Sequence, residues 1–518
     1  MSDTAAFPEW VLLAGMVLAA VLAAAAVLGR TVRGRAWAML GALVLTPVLL
    51  VGEIWNSPQV ETVRDRGMLG LAAAAVGLAA MAGLAWLFAR RPGFFAVLAL
   101  AALPFRVPVQ AGGSTANLLV PLYVVIGAGA LAWLIPRLAA RHAGTPVERT
   151  GGLEWVLLGG IVLYALQSVY GEGQAKAFEQ VIFFYVPFAL LFVLLRGMEW
   201  TRRRLLWGGG ALVVLALLFA GIGFWEFQTR HLLLNPKVIA SNQVEEYFRV
   251  NSLFFDPNIY GRFLALVMIG LASVLLWAKR PRNLLLAIAA LVVLWGGLLT
   301  TLSQSSFAAL LLGLTVLAWL RWGGKVVIAP VLLAVVVGAV IVFAFGSTLR
   351  IDLGDSKSLD NATSGRADLM RGGVELARAK PLLGWGSGAF NAEYRRQEHS
   401  SSREATSASH TIPITVAAEQ GIIGFAAYIA LLVLAFIRLL RGARGSPVRA
   451  AIAAGFAALV LHTWLYAAFL EDPVTWTLLA LGTALAFPAA VRAEDEEDAA
   501  AALNGHRREP VVVAPTTP

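Results

Sequence analysis

The sequence predicts an all-α polytopic membrane protein, a bundle of about 14 to 15 transmembrane helices with one large extracytoplasmic loop. Three observations predict it. The chain is 59% hydrophobic and only 14% charged, where a soluble domain carries nearer a quarter charged residues. Its mean hydropathy is +0.74. Many apolar runs reach the 18 or so residues that cross a hydrocarbon core about 30 Å thick, without the short alternating segments of a membrane barrel.

The first apolar run, 10–28, follows Asp3 and Glu9, and Arg30, Arg33 and Arg35 come after it. That polarity is wrong for a cleaved signal peptide and right for a first helix with its N-terminus outside. Helices are expected at 9–29, 36–52, 68–89, 93–106, 116–136, 153–170, 178–195, 205–226, 259–278, 283–300, 307–320, 326–345, 411–437, 450–470 and 474–491. Alternating sides from that start puts arginine clusters such as Arg202, Arg203 and Arg204 inside. The short outside loops then hold only Arg64, Arg66 and Lys176. This bias fixes orientation in short loops. It also accounts for the net charge of +10 without any nucleic acid as partner. Two longer segments, 227–258 and 346–410, fall outside. Residues 492–518 open with an acidic run and carry no apolar periodicity, as expected of a disordered cytoplasmic tail. With no cysteine in the chain, disulfides, iron–sulfur clusters and thiolate zinc sites are excluded.

The large loop carries "TSGRADLMRGGVELARAKPLLGWGSGAF". Ser364 suits an N-cap and Pro381 ends the pattern. At helical spacing Asp368, Arg371, Glu375 and Arg378 share a solvated face, while Leu369, Met370, Gly373, Leu376 and Ala377 share the opposite one. Arg366 falls on that apolar face in the first turn. It reads equally as half of an anion site, with the free N–H groups of the helix start, or as the partner of a structural carboxylate. Gly384, Gly386 and Gly388 fit a phosphate cradle and tight backbone packing equally well.

The other outer segment ends "YFRVNSLFFDPNIYGRF". Asn258 suits a cap for a helix starting near Ile259. Arg249 lies just ahead of it. Arg262 lies in the first turn, placed either for function or to snorkel to headgroups. His410, Thr411 and Pro413 mark the start of a later helix. A histidine there is a cap, an interfacial residue or a base working near neutral pH. Glu419, further along, would orient it or face a pore.

"RVNSLFFDPN", "LSQSSFAAL", "SGRADLMRGG…KPLLGWGSGAF" and "SHTIPITVAAEQGIIG", in that order, resemble the bacterial O-antigen ligase and polymerase family over roughly residues 240 to 437. The resemblance implies a GT-C-like membrane glycosyltransferase, with residues 1–240 as N-terminal transmembrane helices and 241–491 as the ligase-like region. It implies a donor glycan on undecaprenyl diphosphate and an acceptor hydroxyl on sugar, lipid or protein. Transfer would take place at the outer face of the cytoplasmic membrane among membrane lipids, with no metal and no cofactor. Arg249, Arg366 and His410 match the family's catalytic positions. Arg262, Arg371, Asn258 and Glu419 are further candidates for substrate contact. Where many members carry an arginine, Gln304 and Ser305 stand here. A transporter or flippase of a lipid-linked glycan is the alternative; it predicts internal repeats and charges deep within helices.

Overall fold

The computed structural model describes residues 5–56, 61, 67–111, 114–139, 150–234, 238–239, 242, 247–329, 332, 366–397 and 411–486. Among them, 11 helices are long and apolar enough to cross a membrane, which makes this a polytopic helical membrane protein. The helices that matter for the site are α1 (Glu9–Leu28), α2 (Val32–Ile54), α3 (Gly67–Arg90), α4 (Pro92–Ala102), α5 (Val120–Ala139), α6 (Gly152–Gln167), α7 (Gln174–Glu179), α8 (Val186–Arg196), α9 (Arg202–Thr229), α10 (Pro257–Trp277), α11 (Pro281–Thr301) and α12 (Gln304–Trp322). Beyond the large loop's α13 (Arg366–Ala379) and α14 (Phe390–Gln397) come α15 (Ile412–Leu440), α16 (Pro447–Leu465) and α17 (Pro473–Ala484).

The expected runs at 93–106 and 474–491 form helices of only 11 and 12 residues, and 326–345 lies almost wholly outside the described residues. The outer loop expected at 107–115 instead begins a short antiparallel hairpin, Val107–Ala111 with Ser114–Leu118. The runs at 153–170 and 178–195 are separate spans, as expected. The second contains a π-helical turn, Gln180–Tyr185, between α7 and α8.

Helix starts follow local chemistry. Thr31, Thr201, Ser303, Ser446 and Asp472 each cap a helix by accepting a backbone N–H from two or three residues on, which satisfies a donor left open at a helix N-terminus. Proline at the first or second position, whose fixed φ suits that place, opens α10, α11, α15, α16 and α17. The centre of the bundle is α10, packed against α11, α12 and α16, with α12 lying along α16. Helices α1, α6 and α8 form the neighbouring layer, and α15 and α17 join the two.

The loop helix α13 has the two faces its spacing implied. Gly373 and Leu376 are buried against α15 and α14, while Arg371, Glu375 and Arg378 are exposed. Met370, expected on the packed side, is 42% exposed.

Candidate functional site

Every loop-proximal polar cluster described below sits at one end of the bundle, where α10, α12 and α17 begin and α11 and α16 finish. The approach to α10 is set by Glu226 of α9, which is buried and accepts the backbone N–H groups of Leu233 (3.0 Å) and Ser252 (2.7 Å). Asp256, not Asn258 as its sequence position suggested, caps α10 by accepting the Asn258 N–H at 2.6 Å. The stiff Pro257 occupies the first helical position. The Asn258 side chain is thereby left for other work.

That work is a chain of side-chain hydrogen bonds. Arg249 donates through Nε to the Thr301 carbonyl (3.0 Å) and through Nη2 to Asn258 Oδ1 (3.2 Å). Ser303 Oγ donates to the same Asn258 oxygen at 2.8 Å. Ser303 Oγ lies 2.8 Å from Ser306 Oγ and 3.2 Å from Ser305 Oγ. Both of those hydroxyls lie 3.3 Å from His462 Nε2. His462 is fully buried in α16, and its ring meets Tyr466 edge-on at 5.8 Å. The Tyr466 hydroxyl in turn bonds Asp256, and desolvation, then the Asp256 charge, drive its pKa well above the ordinary phenol value. Three segments far apart in sequence, 249–258, 301–306 and 462–466, thus close one polar circuit. The serines stand in "LSQSSF", where Gln304 is exposed.

A second pair adjoins it. Arg262 is 2% exposed and forms a buried ion pair with Asp472, while its Nη1 donates to the Ala468 carbonyl at 3.4 Å. It does not snorkel. Asp472 also accepts the Val474 N–H at 2.8 Å as the cap of α17. A buried charge pair of this kind is costly to desolvate and costlier to break, so it locks the 466–472 turn to α10.

The backbone here is strained. Of the four non-glycine residues with positive φ among the described residues, Ser252, Leu302 and Ala468 flank these two clusters. Each costs of order 1–3 kcal/mol, and such residues gather at functional sites.

The glycine turn resolves toward packing. Gly386 (φ 99°) touches Gly171 so closely that a Cβ on it would lie 2.5 Å from the Gly171 Cα. Its N–H donates to the Glu419 carbonyl at 2.8 Å. Gly421 breaks helical geometry in α15 (φ 61°, ψ −159°), letting the Ile422 N–H reach the Pro381 carbonyl at 2.8 Å. The turn is therefore a backbone-to-backbone weld between the loop, α6 and α15. Glu419 belongs to that weld: its Oε1 accepts the Phe390 N–H at 3.2 Å, and it also accepts from Gly388.

Glu471, the residue before Asp472, turns the other way. It accepts from Gln180 Nε2 (2.8 Å) and the Tyr185 hydroxyl (3.4 Å) at the π-helical turn. Desolvation pushes its carboxyl above the ordinary 4.5.

Of the residues expected at the site, Arg249, Asn258 and Arg262 gather at this end. Arg371 lies on the solvent face of α13. Arg366 heads α13, but its side chain lies outside the described part, as does His410. The residue after His410, Thr411, is buried and its hydroxyl donates to the Trp464 carbonyl, two residues beyond His462. Sequence reasoning passed over His462, Tyr466, Glu471 and Asp472. The signal was present, since an ionisable residue inside an apolar run is a functional candidate, but it begins 52 residues past His410.

Residues 289–429 match the O-antigen ligase family, from within α11 to the middle of α15. No curated protein matches the chain. The matched stretch holds the serine cluster, Arg366, the glycine weld and Glu419, whereas Arg249, Asn258, Arg262, His462 and Asp472 flank it. A domain of this family points to a glycosyl-transferring enzyme with a ligase- or polymerase-type role in surface polysaccharide. With its apolar helices, the chain is a multi-pass membrane protein that carries an O-antigen ligase domain.

Proposed function

We propose that this protein transfers a glycan from an undecaprenyl-diphosphate-linked donor to an acceptor hydroxyl at the extracytoplasmic face of the bacterial cytoplasmic membrane, as a surface polysaccharide ligase or polymerase. The observation that carries the reading is the circuit from Arg249 through Asn258 and the three serines to His462, at the end of the bundle that the charge bias puts outside. A guanidinium held by two hydrogen bonds and a network of hydroxyls is preorganised, and preorganised donors are what stabilise charge developing on a leaving group.

In this reaction the bond between the anomeric carbon and the phosphate oxygen breaks, and its electron pair leaves with the lipid diphosphate. The acceptor oxygen forms the new bond to that carbon from the opposite face. Its proton passes to His410 acting as general base. Arg249 and Arg366 take the diphosphate charge in place of a metal ion. A single displacement inverts the anomeric centre.

The test is genetic and structural together. Gene deletion is complemented with wild type, His410→Ala or Arg366→Ala, with membrane insertion verified, and surface glycan and the lipid-linked pool are sized on a gel. Variants that strand glycan on the lipid carrier support the reading. Full-length glycan lacking its acceptor marks a ligase, and shortened glycan marks a polymerase. Normal glycan with His410→Ala, or a product of retained configuration, removes the proposed chemistry; lipid-linked glycan trapped on the inner face marks a flippase.

A further inference from the structure

The turn after α4, well outside the matched domain, brings one more arginine to this end of the bundle. The N–H groups of Leu103 and Phe105 close back on the Leu100 and Ala102 carbonyls. The Phe105 ring packs edge-on against Phe219 of α9 at 5.8 Å, and Phe219 meets Phe254 and Phe263 at 5.3 and 5.8 Å. This aromatic stack, whose edge-on contacts are directional, fixes Arg106 beside the first two turns of α10. Desolvation is the largest influence on Arg106 and lowers its pKa; next come the charge of Asp472, which attracts it, and that of Arg262, which repels it.

The three arginines here are differently engaged. Arg262 is committed to Asp472 and the Ala468 carbonyl. Arg249 spends Nε and Nη2 on Thr301 and Asn258. No group among the described residues accepts a hydrogen bond from the Arg106 guanidinium, and its surface stays partly accessible. Among the described residues, the carboxylate that acts on Arg106 is Asp472, and Asp256 lies at the same start of α10. Asp256 is occupied by the α10 cap and Tyr466, and Asp472 by Arg262 and the α17 cap. Arg106 thus has no carboxylate of its own among the described residues, a situation that is unfavourable for a partly buried charge unless an anion arrives.

We propose that Arg106 binds a phosphate of the lipid-linked diphosphate, so that the N-terminal helices supply a donor-binding residue to the ligase domain. The inference rests on the function proposed above. The planar guanidinium fork pairs two phosphate oxygens at once, which a lysine ammonium does not. It also gives the helices before residue 289 a chemical part in the reaction beyond holding the bundle in the membrane.

The test uses the full-length protein in nanodiscs, titrated with undecaprenyl diphosphate and, as an uncharged baseline, undecaprenol. Wild type is compared with Arg106→Gln, Arg106→Lys and Arg30→Gln, the last an exposed arginine at the opposite end. Arg106→Gln is expected to weaken diphosphate binding by roughly tenfold or more while leaving undecaprenol binding unchanged, with Arg106→Lys between the two. Arg30→Gln should bind as wild type. Wild-type affinity in Arg106→Gln overturns the role of Arg106 and leaves the proposed function standing. Where Arg106→Gln fails to insert, Arg106→Lys decides: affinity equal to wild type overturns the proposal, and a loss of about threefold or more supports it. A wild-type protein that does not distinguish diphosphate from undecaprenol overturns the function reading, and this inference with it.

Discussion

The two ends of the bundle use arginine in opposite ways. At the end predicted to face the cytoplasm, arginines lie in the open and settle on what is nearest. Arg137 donates to the Trp133 carbonyl at 2.7 Å and stacks on the Trp133 ring at 4.2 Å. Arg321 reaches the Leu276 carbonyl at 3.1 Å and the Trp277 ring at 5.5 Å. Arg203 covers Trp207 at 5.0 Å. These are interfacial anchors, each a solvated cation over an aromatic belt residue. Two are buried instead: Arg196 against Glu154 at 3.2 Å, which pins α8 to α6, and Arg35, whose Nε donates to the Gly29 carbonyl at 2.7 Å. At the other end Arg249 and Arg262 take partners across helices, from Thr301 and from Asp472, and Arg106 stands beside them with no hydrogen-bond acceptor among the described residues. Positive charge at the first end is the kind that orients a membrane protein. At the second, Arg249 and Arg262 are held by fixed partners.

Breaking the best-paired charge should have the largest effect. Arg262→Ala leaves Asp472 buried without its counter-charge and is expected to cost about 3–5 kcal/mol of stability. Thermal unfolding in detergent reads this directly, and adding Asp472→Asn should recover part of the loss. A variant that melts with wild type would erase the distinction between the two ends.

Next comes His462. Replacing it with Leu leaves the buried Ser305 and Ser306 hydroxyls without their ring partner, a penalty of about 1–3 kcal/mol, and loosens Asn258 and Arg249. Glycan transfer in membranes should fall with His462→Leu and recover substantially with His462→Gln, which restores a polar partner. Equal loss in both would mean the imidazole itself, not the position of the hydroxyls, is required.

A smaller effect is set by pH. Glu471 holds its proton more tightly when folded than when unfolded, because desolvation raises its pKa above the ordinary 4.5. Its contribution to stability is therefore complete below that ordinary value and is lost as pH rises through the folded one. Melting temperature should decline across that window in wild type and decline less in Glu471→Gln.

The smallest effect belongs to the first end. Arg203→Ala removes one exposed stacking contact, worth about 0.5–1 kcal/mol, and should leave glycan transfer unchanged in the same membrane assay.

Much of the frame was legible in the sequence because it depends on neighbours along the chain. Apolar run length located most spans, and α10 starts two residues before its expected first residue because Asp256 and Pro257 are strong local signals. The two faces of α13 followed from spacing alone, with Met370 the one departure among the described residues. The site was legible in part. Arg249, Asn258 and Arg262 were picked out from one contiguous segment, but their partners were not. Gln304 and Ser305 drew notice as a missing arginine, whereas the hydroxyls of Ser303, Ser305 and Ser306 turned out to carry the connection to His462.

The sequence by itself determined the membrane class, the arrangement of basic loops and the helix starts, since each is fixed by hydropathy or by a capping residue within a few positions. Only the tertiary structure decided between a phosphate cradle and a weld for Gly386, because a missing Cβ has meaning only once Gly171 is known to lie against it. Only it could join Arg262 to Asp472, or Ser306 to His462. Periodicity reports which face of a helix is apolar, but which polar groups meet across helices is set by how those faces pack.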